Sequence, residues 1–224
     1  MLDRMPDKKV VLCNVDVLSK KISPNDRNDF PLAGDGAAIT IVENDEEAGD
    51  IYYLMKMDGS RRNALHIPAG GFRQPNTPET GKMHDVGDGN LRSLDHIHMD
   101  GSAVFSFVQA EVPPCIDEIL DFAGASKDEI DYYLFHQPNK FMLQKLREKI
   151  GVAKEKLPDD LVTKYGNPSG VSIPMVIADN LSTEMESGRS YKCCLSAFGS
   201  GLAWGAMVMD LGGLSHCEML ETSL

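Results

Sequence analysis

Residues 135–143 read FHQPNKFML, and the fold turns on how they are interpreted. The run 131–135 is apolar and strand-like, His136 stands at its last step, and Pro138 and Asn139 follow at once. Residues 139–150 then carry Met142, Leu143, Leu146 and Ile150 on one stripe, with Lys140, Lys145, Arg147 and Lys149 elsewhere. That spacing predicts an amphipathic helix. Pro138 suits a first helical position, which would set His136 just ahead of the helix N-terminus. The positive end of the helix dipole disfavours imidazolium there. A histidine so placed is either a turn residue satisfied by backbone or a neutral donor of one N–H into a site.

Two further segments repeat the strand-to-helix or strand-to-strand pattern. YGNPSG at 165–170 puts Asn167 between a glycine and a proline, ahead of a helix expected over 169–187. Asn167 can cap that helix, or its amide can join a histidine N–H on one carbonyl oxygen as an oxyanion hole. AFGSGLAWG at 197–205 places Gly199, Ser200 and Gly201 between apolar strands near 191–198 and 202–210. Glycines there permit either a tight turn or a close backbone approach to a ligand.

Upstream, residues 9–17 form an apolar run that reads as a strand buried on both faces, and strands follow at 37–43 and 51–57. A polar excursion spans 58–97, of the length that is usually functional or partly mobile. Residues 101–124 are helical in pattern, and Pro113 and Pro114 are expected to divide them into two helices ending at Gly124. Buried strands alternating with helices make the chain α/β, with layered helices and a mixed sheet.

The 224 residues are 42% hydrophobic, enough for a sizeable core. A net charge of −12 argues against nucleic acid or an anionic membrane as the main partner. The most apolar stretch, 193–209, is broken by glycines and bounded by Lys192 and Asp210, so it is a poor transmembrane helix, and no signal peptide is visible. Cys13, Cys115, Cys193, Cys194 and Cys217 form no C-x-x-C pair, which fits free thiols in a reducing cytoplasm. Cys193 and Cys194 should point to opposite faces of one strand, and Cys13 should pack within its strand. Cys115, after two prolines, sits where a helix dipole would lower a thiol pKa. DHIHMD at 95–100 reads as an exposed polar strand with His96 and His98 on one face, and no metal site is expected.

FHQPN, YGNPSGVSIP and AFGSGLAWGAMVM, in that order, resemble the C-terminal half of the 3-oxoacyl-(acyl carrier protein) synthase III family, condensing enzymes of the thiolase-like fold. VLCNVDVLSKKISPNDRNDFPLAGDGAAITIV and HMDGSAVFSF extend the similarity upstream, while 58–97 and the tail after 211 match poorly. The resemblance implies the last two strands of an N-terminal thiolase-like half over residues 1–45 and a C-terminal half over 46–224. It implies a decarboxylating Claisen condensation of an acyl-CoA with malonyl-acyl carrier protein in fatty acid or related biosynthesis, with no cofactor beyond these substrates. By motif position His136 and Asn167 would hold the malonyl thioester carbonyl, and Phe198 and Gly199 would shape the neighbouring oxyanion site. Arg27 would contact coenzyme A, and Asn139 would line the pantetheine tunnel.

The family nucleophile, a cysteine at a buried helix N-terminus, precedes the strand that here begins at Lys9, so none of the five cysteines matches it. The expectation is a chain inactive alone, completed by an upstream coding region, a homodimer or a complementing N-terminal chain. The basic residues beside His136 would receive the acidic carrier protein, although Phe141 replaces a basic family position. Two alternatives stand: a non-catalytic partner or structural subunit, and a related condensing enzyme such as a hydroxymethylglutaryl-CoA synthase. An unpaired edge at 9–17 is expected to be aggregation-prone or covered by another chain.

Overall fold

The computed structural model describes residues 8–222; the ends of the two expected halves, at 1 and 224, lie outside the described residues. Ten strands run β1 Lys9–Val17, β2 Asp35–Glu43, β3 Tyr52–Met57, β4 Leu65–His66, β5 His84–Asp85, β6 Leu91–Arg92, β7 His98–Met99, β8 Tyr132–Phe135, β9 Ser190–Gly199 and β10 Ala203–Gly212. Four helices accompany them: α1 Gly101–Ala123, α2 Lys140–Ile150, α3 Leu161–Tyr165 and α4 Ser172–Glu186. The central sheet has the order β3-β10-β9-β8; β8 pairs parallel to β9 and the other pairs are antiparallel, so the sheet is mixed.

Strand alternation divides the core between the two faces of this sheet. Tyr133, Phe135 and Cys194 point to one face, where they join α1 and α2 through Val108, Ile116, Leu143 and Leu146. Leu134 and Cys193 point to the other, where Val171, Val176 and Met185 of the α4 region meet them. The neighbouring cysteines thus enter different cores, as the period of two requires. A second sheet, β1 with β2, lies against the far side of α4, where Ala38 joins the second core and Gly36 abuts Met175.

Several expectations are corrected here. The β1 strand is not buried on both faces: Val11, Val15, Ile39 and Ile41 of the β1–β2 pair stand 56%, 67%, 73% and 62% exposed. With only two strands and one neighbouring helix, this sheet has no layer on its outer face among the described residues. Cys13 is exposed for the same reason. Tyr53, Met55 and Met57 on β3 are likewise exposed.

The two prolines do not split α1, which is one helix of 23 residues. Proline at 113 withholds the N–H that Gln109 O would receive, and the Lys149 ammonium donates to that carbonyl at 2.7 Å instead. Pro113 itself is buried, so packing against the sheet offsets the lost bond. Cys115 therefore lies mid-helix, 1% exposed, and burial pushes its thiol pKa up where the sequence suggested a lowering.

The excursion at 58–97 is built rather than loose. It holds a 3-10 turn at Gly59–Ala64 and the short pairs β4–β7 and β5–β6. His96 is outside a strand, so it does not share a strand face with His98; its Nδ1 accepts from the Ser93 backbone N–H at 3.0 Å. Two main-chain bonds, Leu91 N–H to Asn25 O at 3.1 Å and Ile97 N–H to Lys21 O at 2.7 Å, fasten the excursion to the loop between β1 and β2. Arg92 sits between buried Asp26 and Asp29 and pairs with both. Burial tends to raise the Asp26 pKa, but the Arg92 bond and backbone donors outweigh it and hold that carboxyl low. Burial wins at Asp29, whose pKa is raised.

Candidate active site

His136 follows the buried strand β8 directly, and its backbone N–H adds one more rung to the sheet by donating to Ser196 O at 2.8 Å. The turn beyond it is clamped by Gln137, fully buried, whose Nε2 donates to Phe135 O and Pro158 O, both at 3.0 Å. Asn139, rather than Pro138, caps α2: its Oδ1 accepts from Met142 N–H at 2.8 Å. The first helical residue is Lys140, so the proline lies ahead of the helix and His136 stands farther from its N-terminus than the sequence implied.

The imidazole is nonetheless held neutral. Its pKa is lowered from 6.5 to about 4, and the cause is burial among β8, β9 and the α4 region, opposed by a hydrogen bond to the Ser169 backbone. Withdrawal of water, more than the α2 dipole, disfavours the charged ring. His136 Nδ1 lies 2.7 Å from Ser172 Oγ, and the ring meets Phe198 edge to face at 5.4 Å between centroids.

Asn167 arrives by a different route. Its N–H donates to Leu32 O at 2.7 Å and its carbonyl accepts from Gly34 N–H at 3.0 Å, so the loop before β2 grips it from both sides. That approach requires glycine twice: a Cβ at Gly34 would strike Tyr165 O, and one at Gly166, whose φ is +74°, would strike Ala33 O. Asn167 does not cap α4, whose N-cap is Val171. Its Oδ1 accepts from Ser169 N–H at 2.9 Å, which leaves the amide NH2 as the end available to a ligand.

His136, Asn167, Asn139, Phe198 and Gly199 line one cavity of about 880 Å³. Its walls are mainly apolar, with Ile22, Leu32, Val104, Phe107, Met142 and Trp204 contributing. A long apolar space with two uncharged N–H donors at one side suits a flexible acyl chain and a carbonyl that gains negative charge. Arg27 is not brought to this cavity: it is exposed, and its backbone N–H is tied to Asn90 Oδ1 at 3.0 Å. Its loop reaches the wall through Leu18, Lys21, Ile22 and Leu32 instead.

The basic residues of α2 are largely engaged within the fold. Lys145 pairs with Glu148 at 2.6 Å, Arg147 with Asp159 at 3.3 Å, and Lys149 holds Gln109 O. No cysteine lines the cavity, and burial raises the thiol pKa of Cys193 to about 12 and that of Cys194 still further. Among the described residues no group of three or more His, Cys, Asp or Glu is placed to hold a metal, and no helix is long and apolar enough to cross a membrane. Ser172 was missed by sequence reasoning, since a serine opening a helix reads as a cap. Its contact with His136 joins residues 36 apart and has no local signal.

A profile described as 3-oxoacyl-[acyl-carrier-protein (ACP)] synthase III C terminal matches residues 120–211, and one described as 3-oxoacyl-[acyl-carrier-protein (ACP)] synthase III matches residues 1–59. A beta-ketoacyl-[acyl-carrier-protein] synthase III of Lactococcus lactis is 32% identical over 204 residues, covering 90% of this chain and 59% of that protein. Its counterpart in Streptococcus equi is 30% identical over 202 residues, with 90% and 59% covered. The crystal structure of a 3-oxoacyl-(acyl-carrier protein) synthase from Burkholderia xenovorans superposes with a TM-score of 0.82 at 32% identity, over 96% of this chain and 59% of that one. A 3-oxoacyl-(acyl-carrier-protein) synthase III structure at 2.1 Å gives a TM-score of 0.83 at 30% identity, with 93% and 62% covered. The chain thus spans about three fifths of the length of the relatives it matches.

Proposed function

Because the chain belongs to the 3-oxoacyl-[acyl-carrier-protein] synthase III family, with its α/β thiolase-like fold, we propose that it supplies the decarboxylation half of a condensing acyltransferase. The observation that carries this reading is the meeting of His136 and Asn167, from separate elements, on one largely apolar cavity with the Asn167 amide NH2 left unengaged. In this reaction a malonyl thioester, delivered on acyl carrier protein, places its carbonyl oxygen between the two donors. The bond between the carboxylate carbon and the α-carbon breaks and carbon dioxide leaves. The electron pair passes into the thioester as an enolate, whose charge His136 and Asn167 stabilise as neutral donors. That carbanion then attacks an acyl thioester on a cysteine, forming the new carbon–carbon bond and expelling the thiolate.

Phe198 and Gly199 wall the oxyanion site, Asn139 lines the pantetheine passage, and Arg27, outside the cavity, meets the coenzyme A of the acyl donor at its mouth. No cofactor other than these substrates takes part, and the setting is cytoplasmic. None of the five cysteines lines the cavity, so the acyl-carrying cysteine comes from a preceding coding segment, a complementing chain or a dimer partner. The exposed apolar faces of β1–β2 and β3 give such a partner a surface to cover. The same placement of the thiols favours, as a second reading, a non-catalytic subunit.

The test uses the chain complemented with a segment bearing the cysteine. His136→Ala and Asn167→Ala should each abolish malonyl decarboxylation, by about 100-fold or more, while acyl-cysteine formation survives. Equal loss of both steps would contradict the assigned roles, and absence of both steps in every complemented form would favour the non-catalytic subunit.

A further inference from the structure

The neutral imidazole of His136 has two tautomers, and only one presents an N–H to the cavity. Nδ1 is turned inward, 2.7 Å from Ser172 Oγ, so the tautomer is decided by which way the proton lies between these two atoms. Ser172 is 1% exposed, and its hydroxyl has a second neighbour, Ser169 O, at 2.8 Å. The hydroxyl has one proton and can give it to one of them.

Ser169 O already receives the Ser172 backbone N–H. If the hydroxyl also donates there, that carbonyl takes two donors, Nδ1 must keep its own proton, and Nε2 is left as a bare acceptor. If the hydroxyl donates to Nδ1, each acceptor has one donor and the ring proton resides on Nε2. The neighbouring amide decides between the two. Asn167 offers its NH2 to the same cavity, and a bare Nε2 there would be its natural acceptor; no hydrogen bond joins Asn167 to His136 among the described residues.

We propose that Ser172 is a positioning residue whose hydroxyl donates to His136 Nδ1 and fixes the tautomer with the proton on Nε2. Ser169 then serves both donors of the site. Its N–H holds Asn167 Oδ1, and its carbonyl, satisfied by backbone, leaves the Ser172 hydroxyl to the imidazole. Its φ of +49°, in the left-handed region, turns these two groups toward Asn167 and Ser172 from one residue. The inference rests on the reading of His136 as an oxyanion donor for its functional meaning, but the tautomer can be measured without turnover.

The experiment is nitrogen-15 NMR of the full chain labelled in its six histidines, with the His136 signals identified by their loss in His136→Asn. The wild type should show a pyridine-type Nδ1 and a pyrrole-type Nε2. Ser172→Ala should reverse the two, because Nδ1–H can then donate to Ser169 O, and Ser172→Thr, which keeps the hydroxyl, should restore them. A pyrrole-type Nδ1 in the wild type overturns the proposal even if the variants fail to fold, and so does the same tautomer in wild type and Ser172→Ala. In the complemented enzyme Ser172→Ala should lower kcat for decarboxylation about 100-fold with little change in KM. Should the NMR result hold while no form decarboxylates malonyl thioester, Ser172 keeps its positioning role and the proposed function is what fails.

Discussion

Replacing His136 by asparagine should remove a specific pH dependence from the stability of the fold. The folded imidazole binds its proton with a pKa of about 4, against 6.5 for an unhindered one. As pH falls below 6.5 the unfolded chain protonates first and is favoured, so stability is lost progressively down to about pH 4 and no further below it. At about 1.4 kcal/mol for each tenfold change in proton affinity, the full loss is roughly 3 kcal/mol, and roughly 2 kcal/mol of it falls between pH 7 and pH 4.5. These are upper bounds, because the edge of the ring that meets the cavity is screened by water. Urea denaturation of wild type and His136→Asn at both pH values isolates the contribution, since every other titrating group is common to the pair. Wild type should lose about 2 kcal/mol more than the variant on acidification. Equal losses would refute the claim that burial, with no facing carboxylate, keeps this histidine neutral.

Three other outcomes follow from the packing. Lys149→Met should cost about 1 kcal/mol by orphaning Gln109 O, and the cost should shrink in a Pro113→Ala background, where residue 113 regains an N–H; urea midpoints for the four proteins of this cycle provide the check. Arg92→Leu should cost roughly 3–5 kcal/mol by leaving Asp26 and Asp29 buried together, with much of it recovered on adding Asp26→Asn and Asp29→Asn; recovery is read by thermal unfolding, and none would show that the three do not act as a unit. Gly166→Ala should destabilise by more than about 1 kcal/mol, through its positive φ and the collision with Ala33, and should weaken malonyl-thioester decarboxylation by displacing Asn167; unchanged unfolding and turnover would contradict this.

Much of the site was legible because its residues stand at element ends. His136 closes a strand, Asn139 opens a helix, and Asn167 sits between a glycine and a proline, each in a short motif that local geometry constrains. Their meeting on one cavity followed from the resemblance, since nothing in local spacing joins residue 136 to residue 167. The continuity of α1 was not legible. Two prolines read as a break until a lysine 36 positions beyond Pro113 is seen to supply the missing donor. The exposure of β1 was misjudged because an apolar run shows what a strand would bury, and whether a layer covers it depends on the rest of the assembly.

The sequence by itself determined the alternation of strands and helices, the amphipathic stripe of α2 and the opposed directions of Cys193 and Cys194, all consequences of fixed backbone periods. The tertiary structure alone decided that His136 is neutral through burial rather than through the α2 dipole, and that Arg27 stands apart from the cavity. It alone decided that Ser172 is the partner of the imidazole. Proton affinity and hydrogen-bond direction depend on which distant groups exclude water and which atoms come within 3 Å, and chain order does not encode either.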